Sequence, residues 1–589
     1  MIRSVHEYPI STIINNNDNN KYVIPKFQRE YKWKKEDCEA IFNDLLDNDR
    51  GYFLGSIICI NQGKDAFDIT PLELIDGQQR LATISLTYAA IYNRFLKEKR
   101  KDDEFIHEKI TLKNRLIQKN TKNELKLELS HQKNNLDDYK AILEELKLYN
   151  DTKFKRPLNL GNRRIYRTYQ YLKKRISELD DYDKLSDFLE RLNSAMLVKI
   201  EVESHADAFI LFESVNNRGI PLSAMDIIKN KLLAKLEKKE IISIDDAFNK
   251  WIKLVDNLED YSIQERFLRQ YYNAFRYKEE VGIKGYTKAT RSNLIKIYEK
   301  LIDSDVNSIF NELIEKSKIY NSFIIPSEEG KYAKYRKDLI DLLHIGAAPS
   351  YTLLIYLFSN HFDKEDLIHQ SIEFLVKYFV RRNLTDSPGT RDLDNIFIEL
   401  IKECENNKDH LNFDIIKDFL QKPNRFSKSD EFKNLLEGPI YKINAPVARF
   451  ILSKLEEGHK TKEIYVDLWE KDKNKKYLWT IEHIFPQGKN IPKDWIDMIS
   501  EGDKFKAKEL QNDWAHKLGN LTLTGYNSKL SNFSFEKKRD RKDKSGNHIG
   551  YRNGLYLNKE LKNKDSWKIN DIKVRTDVLS SEAFKMFDV

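Results

Sequence analysis

The stretch "LELIDGQQRLATISLTYAAIYNRFL", residues 72–96, constrains the fold more than any other. A short apolar run of strand character stops at Asp76-Gly77, and a series of apolar residues at helical spacing follows at once. With "GYFLGSIICI" (51–60) just ahead of it, the pattern reads as buried strands alternating with a helix, the signature of an α/β domain. "MLVKIEV" (196–202) returns to strand character, and a helix is predicted to start at Ser204. Beyond the turn "NNRGIP", Ser223 and Asp226 have the spacing of a capping box at a further helix start.

The α/β domain is therefore predicted to span residues 1–235. Residues 97–160, rich in Lys, Glu, Asp and Asn, read as a peripheral helical insertion. Residues 236–430 read as helices with polar connections. A last domain is predicted over 431–589, opened by a helix with Asn444 as its cap and Pro446 in its first turn. At 589 residues the chain exceeds what one core organises, so several domains are required. The fold class expected is multidomain α+β, mostly helical.

Hydrophobic residues make up 40% of the chain and charged residues 33%, which excludes a disordered polymer. The net charge of +8 and a pI near 8.8 permit a polyanionic partner without requiring one. Cys38, Cys59 and Cys404 are too far apart in sequence for a metal knuckle or a disulfide framework and are predicted to be buried fillers of a cytoplasmic protein. The N-terminus lacks the apolar core of a signal peptide, and the greasiest run, "YTLLIYLF" (351–358), is far too short to span a bilayer. No membrane partner is expected.

Chemistry concentrates at the C-terminus. "YLWTIEHIFPQ" (477–487) and "HKLGNLTLTGYNSKLSNFSFEKKRDRK" (516–542) read as a strand, a long excursion, a second strand and a basic helix. The order and the residues resemble the HNH family of ββα-metal nuclease fingers. Glu482-His483 matches the acidic-histidine pair of the first strand, Asn520 the central asparagine, and Asn527 the asparagine on the helix. The interval from His483 to Asn520 is longer than in compact members of that family, as an inserted loop and helix would make it.

Phosphodiester hydrolysis needs a water deprotonated near neutral pH, and a non-ligating imidazole titrates in that range. His483 is accordingly the expected general base. Glu482 and Asn527 are expected to hold Mg2+ or Mn2+, a hard cation that takes carboxylate and amide oxygens and stabilises the departing 3′ oxygen. Asn520 is expected to tie the loop and orient His483. His516 and His548 are further histidines near the motif, and "FEKKRDRKDK" (535–544) is either a solvated helix end or a contact to backbone phosphates.

Toward the N-terminus, "IPKFQREYKW" (24–33), "IDGQQR" (75–80) and "FESVNNRGIPLSAMDIIK" (212–229) read as parts of one pocket, and none is a Walker A loop. Gly77 at the strand-to-helix junction permits an unusual backbone angle that turns amides toward an anion. Arg80 is suited to clamp a phosphate, and Gln78 and Gln79 to bond a base, ribose or phosphate. Tyr31 and Trp33 are either stacking residues or core aromatics.

The three stretches together resemble the N-terminal domain of GmrSD-type modification-dependent restriction enzymes, whose core is similar to the ParB/sulfiredoxin-like fold. The segment "VRRNLTDSPGTRDLDNIF" (380–397) resembles their linking region, and the HNH-like end completes the likeness. The resemblance implies an NTP-binding and DNA-sensing domain joined to an HNH nuclease that attacks modified phage DNA, glucosylated or phosphorothioated in relatives. By motif match, Asp76, Gly77, Gln78, Gln79 and Arg80 carry over as the site for GTP or another NTP, with Gln28, Arg29, Asn217 and Asp226 beside them. The implied partners are double-stranded DNA and a nucleoside triphosphate, with a homo-oligomer allowed. Two rival readings are an NTP-responsive regulator with an inactive nuclease finger and an RNA-cleaving toxin.

Overall fold

The computed structural model describes residues 2–15, 19–25, 28, 30–62, 69–118, 123–130, 134–203, 207–208, 211, 223–459, 466–473 and 476–589. Helix dominates, with two separate sheets, so the protein is a mostly helical α+β chain. It divides into two compact units: Met1–Lys253 with Tyr298–Phe310, and Leu254–Ile297 with Asn311–Val589. No described helix is long and apolar enough to cross a membrane.

The first unit is organised by a six-stranded mixed sheet in the order β1-β6-β3-β4-β2-β5. The strands are β1 (Ile2–Pro9), β2 (Asn20–Val23), β3 (Phe53–Asn61), β4 (Thr70–Asp76), β5 (Leu127–Glu128) and β6 (Met196–Val202). β3 runs antiparallel to β4 and parallel to β6, so both of its edges are paired and Ile57, Ile58 and Cys59 are fully buried. Helix α1 (Gln78–Phe95) leaves the end of β4 through Gly77, and every residue from Leu81 to Tyr92 is buried. An all-round buried helix explains why its sequence carries apolar residues on more than one face.

The region 97–160 is more deeply built in than a peripheral insertion. β5 adds a parallel edge strand beside β2, and Leu125, Leu127 and Leu129 are buried. Helix α2 (Asn135–Glu145) places Leu136, Tyr139, Ile142 and Leu143 in the same core as α1. Helix α3 (Arg164–Ser177) lies against α1. Helix α4 (Ala224–Lys238) starts at Ser223, whose Oγ accepts the Asp226 N–H at 3.2 Å, while the Asp226 carboxylate accepts the Ser223 N–H at 3.3 Å. The predicted start at Ser204 lies outside the described residues.

The second unit contains α5 (Tyr261–Phe275), α6 (Arg336–Ile345), α7 (Tyr351–Asn360), α8 (Glu365–Thr385), α9 (Leu393–Asn406) and α10 (Ile440–Gly458). The greasy run 351–358 is a core helix, buried along its whole length. Asn444 departs from helical geometry inside α10, and its Oδ1 accepts the Val447 N–H at 3.2 Å. It caps the second part of a kinked helix, as Pro446 behind it requires. Strands β7 (Thr480–His483) and β8 (Leu521–Thr524) pair antiparallel. The short helices α11 (Asn527–Leu530) and α12 (Phe535–Arg539) follow, and α13 (Ile569–Met586) closes the chain. Phe485, Trp495, Phe535 and Trp567 form the core around this hairpin, so the excursion between the strands contributes to the core through Trp495. All three cysteines are buried and free.

Candidate active site

Alternation along β7 sends Glu482 and His483 to opposite faces. Glu482 is 3% exposed, and its Oε1 accepts from Lys538 Nζ at 2.6 Å. Lys538, 1% exposed on α12, also donates to the carbonyls of His483 (2.9 Å) and Ile484 (3.2 Å). Burial pushes the Glu482 carboxyl up and the Lys538 ammonium down from their ordinary values, and each opposes the other's shift by its charge. The expected metal ligand Glu482 is thus an internal ion-pair partner here, because an ammonium inside the core needs its carboxylate. The same contact shows that the run 535–544 is neither wholly a solvated helix end nor wholly available to phosphates. Arg539 is also buried, bonded to Asp540 and Asp565, whereas Lys537, Arg541, Lys542 and Lys544 are exposed.

His483 is 5% exposed on the other face. Its Nε2 lies 3.3 Å from Nδ1 of His516, and the Tyr441 ring stands edge-on to it at 4.6 Å while lying parallel to His516. Burial, with His516 and Lys538 adding to it, pushes the His483 imidazole down to about 3. Burial and then Lys442 also lower His516. Both rings are therefore neutral at pH 7, so one ring nitrogen donates across the contact and the other accepts. His516 is half-exposed and gives the buried His483 a partner nearer the surface.

Asn520 is fully buried, and its side chain clamps the backbone just past β7. Its Oδ1 accepts the Phe485 N–H at 2.8 Å, and its Nδ2 donates to the carbonyls of Phe485 and Ala515 at 2.9 Å. It positions His483 through the main chain of the adjoining loop. Gly519 permits the close approach of α13 that fixes this turn, since a Cβ there would sit 2.2 Å from the Ile572 carbonyl oxygen. Arg575 on α13 donates to the carbonyls of Gly519 and Leu521. Asn527 opens α11, where its Nδ2 donates to the Ile481 carbonyl at 2.9 Å, and no described donor reaches its Oδ1. His548 lies exposed in a turn, bridged to Lys542.

In the first unit, Gly77 adopts φ +82 at the N-terminus of α1, and a Cβ there would lie 2.5 Å from Ile57 Cγ2. Gln79 is buried; its Oε1 accepts the N–H groups of Lys32 (2.7 Å) and Trp33 (3.3 Å), and its Nε2 donates to the Glu30 carbonyl. Gln78 donates to Gln28 Oε1 at 3.2 Å. Arg80 Nη1 donates to the Ser56 carbonyl at 2.8 Å, its guanidinium lies against Gly55, and burial lowers it with Asp76 opposing. The motif therefore joins Gln28, residues 30–33 and β3 to the start of α1. The cavity beside the glutamines, lined by Tyr31, Ser130 and Asn135, measures only about 10 Å3, room for about one water. Tyr31 is core, bonded to Thr83 at 2.7 Å, and Trp33 packs half-buried on the same core. Asp226 serves the capping box of α4. Arg29 and Asn217 lie outside the described residues.

The N-terminal domain of GmrSD restriction endonucleases matches residues 10–233, and the C-terminal domain of the same enzymes matches residues 426–582. The chain belongs to the GmrSD restriction endonuclease family. Membership implies a restriction nuclease with DNA as its substrate. An uncharacterized protein of Methanocaldococcus jannaschii is 23% identical over 533 residues, a match covering 81% of this chain and 80% of the relative.

The GmrSD C-terminal match contains both strands of the hairpin, together with His483, His516 and Asn520. Sequence reasoning missed Tyr441 and Lys538 and did not place His516 at the site. Tyr441 carried no signal, standing far upstream in an ordinary helix start. Lys538 was hidden inside a basic run, where its three-residue helical spacing from Phe535 was the clue to an inward face.

Proposed function

We propose that this GmrSD-family chain restricts modified foreign DNA by hydrolysing phosphodiester bonds at an HNH-type site on the β7–β8 hairpin. The observation that carries the reading is the geometry of the His483 imidazole, joined to His516 at 3.3 Å and positioned through the Asn520 clamp, while burial makes it a weaker base than the free imidazole the sequence suggested. A neutral imidazole takes a proton from the attacking water as the new bond to phosphorus forms. His516 shares that proton with His483 across the ring contact, and the exposed Lys537, Arg541 and Lys542 bind backbone phosphates.

Bound Mg2+ or Mn2+ supplies Lewis-acid charge for the departing 3′ oxygen. Asn527 fits that group through its unengaged Oδ1, while Glu482 does not fit it while held by Lys538. The Asp76–Arg80 turn is proposed to take GTP or another NTP at the N-terminus of α1 and to couple its binding or hydrolysis to cutting. The helix N-terminus opening at Gly77 supports that assignment, although Arg80 is engaged by the Ser56 carbonyl and the adjoining cavity has room for about one water.

A panel of unmodified, glucosylated and phosphorothioated DNA, with and without GTP or ATP and with Mg2+, Mn2+ or EDTA, tests the reading. Cleavage of a modified DNA, dependent on NTP and abolished by EDTA, is the expected result. Intact DNA in every arm contradicts it. The Glu482–Lys538 pair favours a second reading, an NTP-responsive binding protein with an inactive finger, which predicts DNA binding and no cutting in the same panel.

A further inference from the structure

We propose that the helical unit contains a second ligand site, for an anion carrying a planar ring, of the mononucleotide class, in a cleft between the C-terminal end of α5 and helix α9. The cleft encloses about 550 Å3, within the range that holds a small organic ligand. It is separate from the hairpin residues and from the Asp76–Arg80 turn, and rests on neither assignment.

Its walls hold polar hydrogens without acceptors. Asn273, 2% exposed, uses Oδ1 to accept the Ala289 N–H at 2.7 Å, which fixes the amide and leaves Nδ2 with no partner. Arg276 Nε, one helical turn on, is likewise buried and unpartnered. Buried donors are nearly always satisfied in folded proteins, so the Asn273 amide, fixed by Ala289 and 2% exposed, is the wall's donor that calls for an acceptor from outside. Lys402 on α9, exposed, adds a second cation at the rim. Glu399, the acid of the wall, is already paired with Arg425 at 2.8 Å. Glu405 sits behind the wall, bonded by the Tyr356 hydroxyl at 2.7 Å and beside that of Tyr277, and on the side of Arg276 and Asn273 a guanidinium next to an amide suits a phosphate.

The remaining wall suits a ring. Tyr277 is held by the Asn360 amide, which donates to its hydroxyl at 2.8 Å, and by edge contact with Tyr356. Tyr277, 36% exposed, lines the cleft together with Ile398 and Ile401, an aromatic and apolar wall of the kind on which a base packs. A lone inorganic anion would leave that apolar wall and most of the volume unused. Asn395, the last outward residue of the 380–397 segment, also lines the cleft, whereas Arg381 of the same segment is buried against Phe426 and Phe432.

The test is calorimetric titration of the full chain carrying Arg80→Ala, which disables the turn in the first unit. The probes are AMP, GMP, CMP and UMP, their parent nucleosides, and inorganic phosphate. At least one monophosphate is expected to bind tenfold or more tightly than its nucleoside and than phosphate. Arg276→Gln and Lys402→Glu are each expected to weaken it at least tenfold. Lys402 is exposed, so that variant keeps the fold, and unchanged melting verifies it. The inference is overturned if no monophosphate binds, if phosphate binds as tightly, or if Lys402→Glu leaves the affinity unaltered.

Discussion

Lys538 and Glu482 show at the residue scale how a charged motif is divided between interior and surface. Removing one partner leaves the other charge buried alone, which costs about 3–5 kcal/mol. Lys538→Met is therefore expected to lower the unfolding free energy by that amount in urea titrations. The double variant Glu482→Leu, Lys538→Met should recover most of the loss, because neither charge is then stranded. Equal destabilisation of single and double variants would show that the pair does not couple. Gly77 is a second residue whose identity is dictated by its surroundings: its left-handed backbone and the 2.5 Å approach to Ile57 both exclude a side chain. Gly77→Ala is expected to destabilise by more than about 1 kcal/mol, read as a lowered melting temperature.

Elements carry the next predictions. The capping box of α4 joins Ser223 to Asp226 in both directions, so Ser223→Ala should cost about 1 kcal/mol in the same urea titration. The buried His483 and the half-buried His344 give a pH dependence whose sign is fixed. His483 is pushed down to about 3, and His344, stacked on Trp469, to about 4. Unfolding frees both to titrate near 6.5, so between that value and their folded ones the unfolded chain binds more protons. Their contribution to stability is whole above about pH 6.5 and is lost as the pH falls toward 4 and then 3. Melting temperatures measured across that window should fall with acid, and His344→Phe should flatten the slope. A slope unaltered in that variant would contradict the desolvation of its neutral ring.

At the scale of the whole molecule, sequence periodicity made much of the architecture legible. β3, β4 and β6 coincide with apolar runs, α1 with helical spacing, and β7 and β8 with the two halves of the C-terminal motif. The segment 97–160 was opaque because Leu125, Leu127 and Leu129 are isolated among charged residues, and only pairing with β2 shows that they line a core. His516 and Tyr441 were illegible as a site for a related reason: their contact with His483 joins residues brought together by tertiary packing rather than by local spacing. Asn520 was legible as a loop tie, though its bonds run to Phe485, Ala515 and the Trp567 indole and not to the His483 ring.

The central claim is that His483 takes the proton from the water that cuts DNA. The most direct measurement is cleavage of a modified DNA by wild type and by His483→Ala, under conditions in which the wild type cuts and with both proteins shown to melt cooperatively. A loss of at least about a hundredfold in rate for the variant is expected, as for removal of a general base. Cleavage by His483→Ala at the wild-type rate would contradict the account.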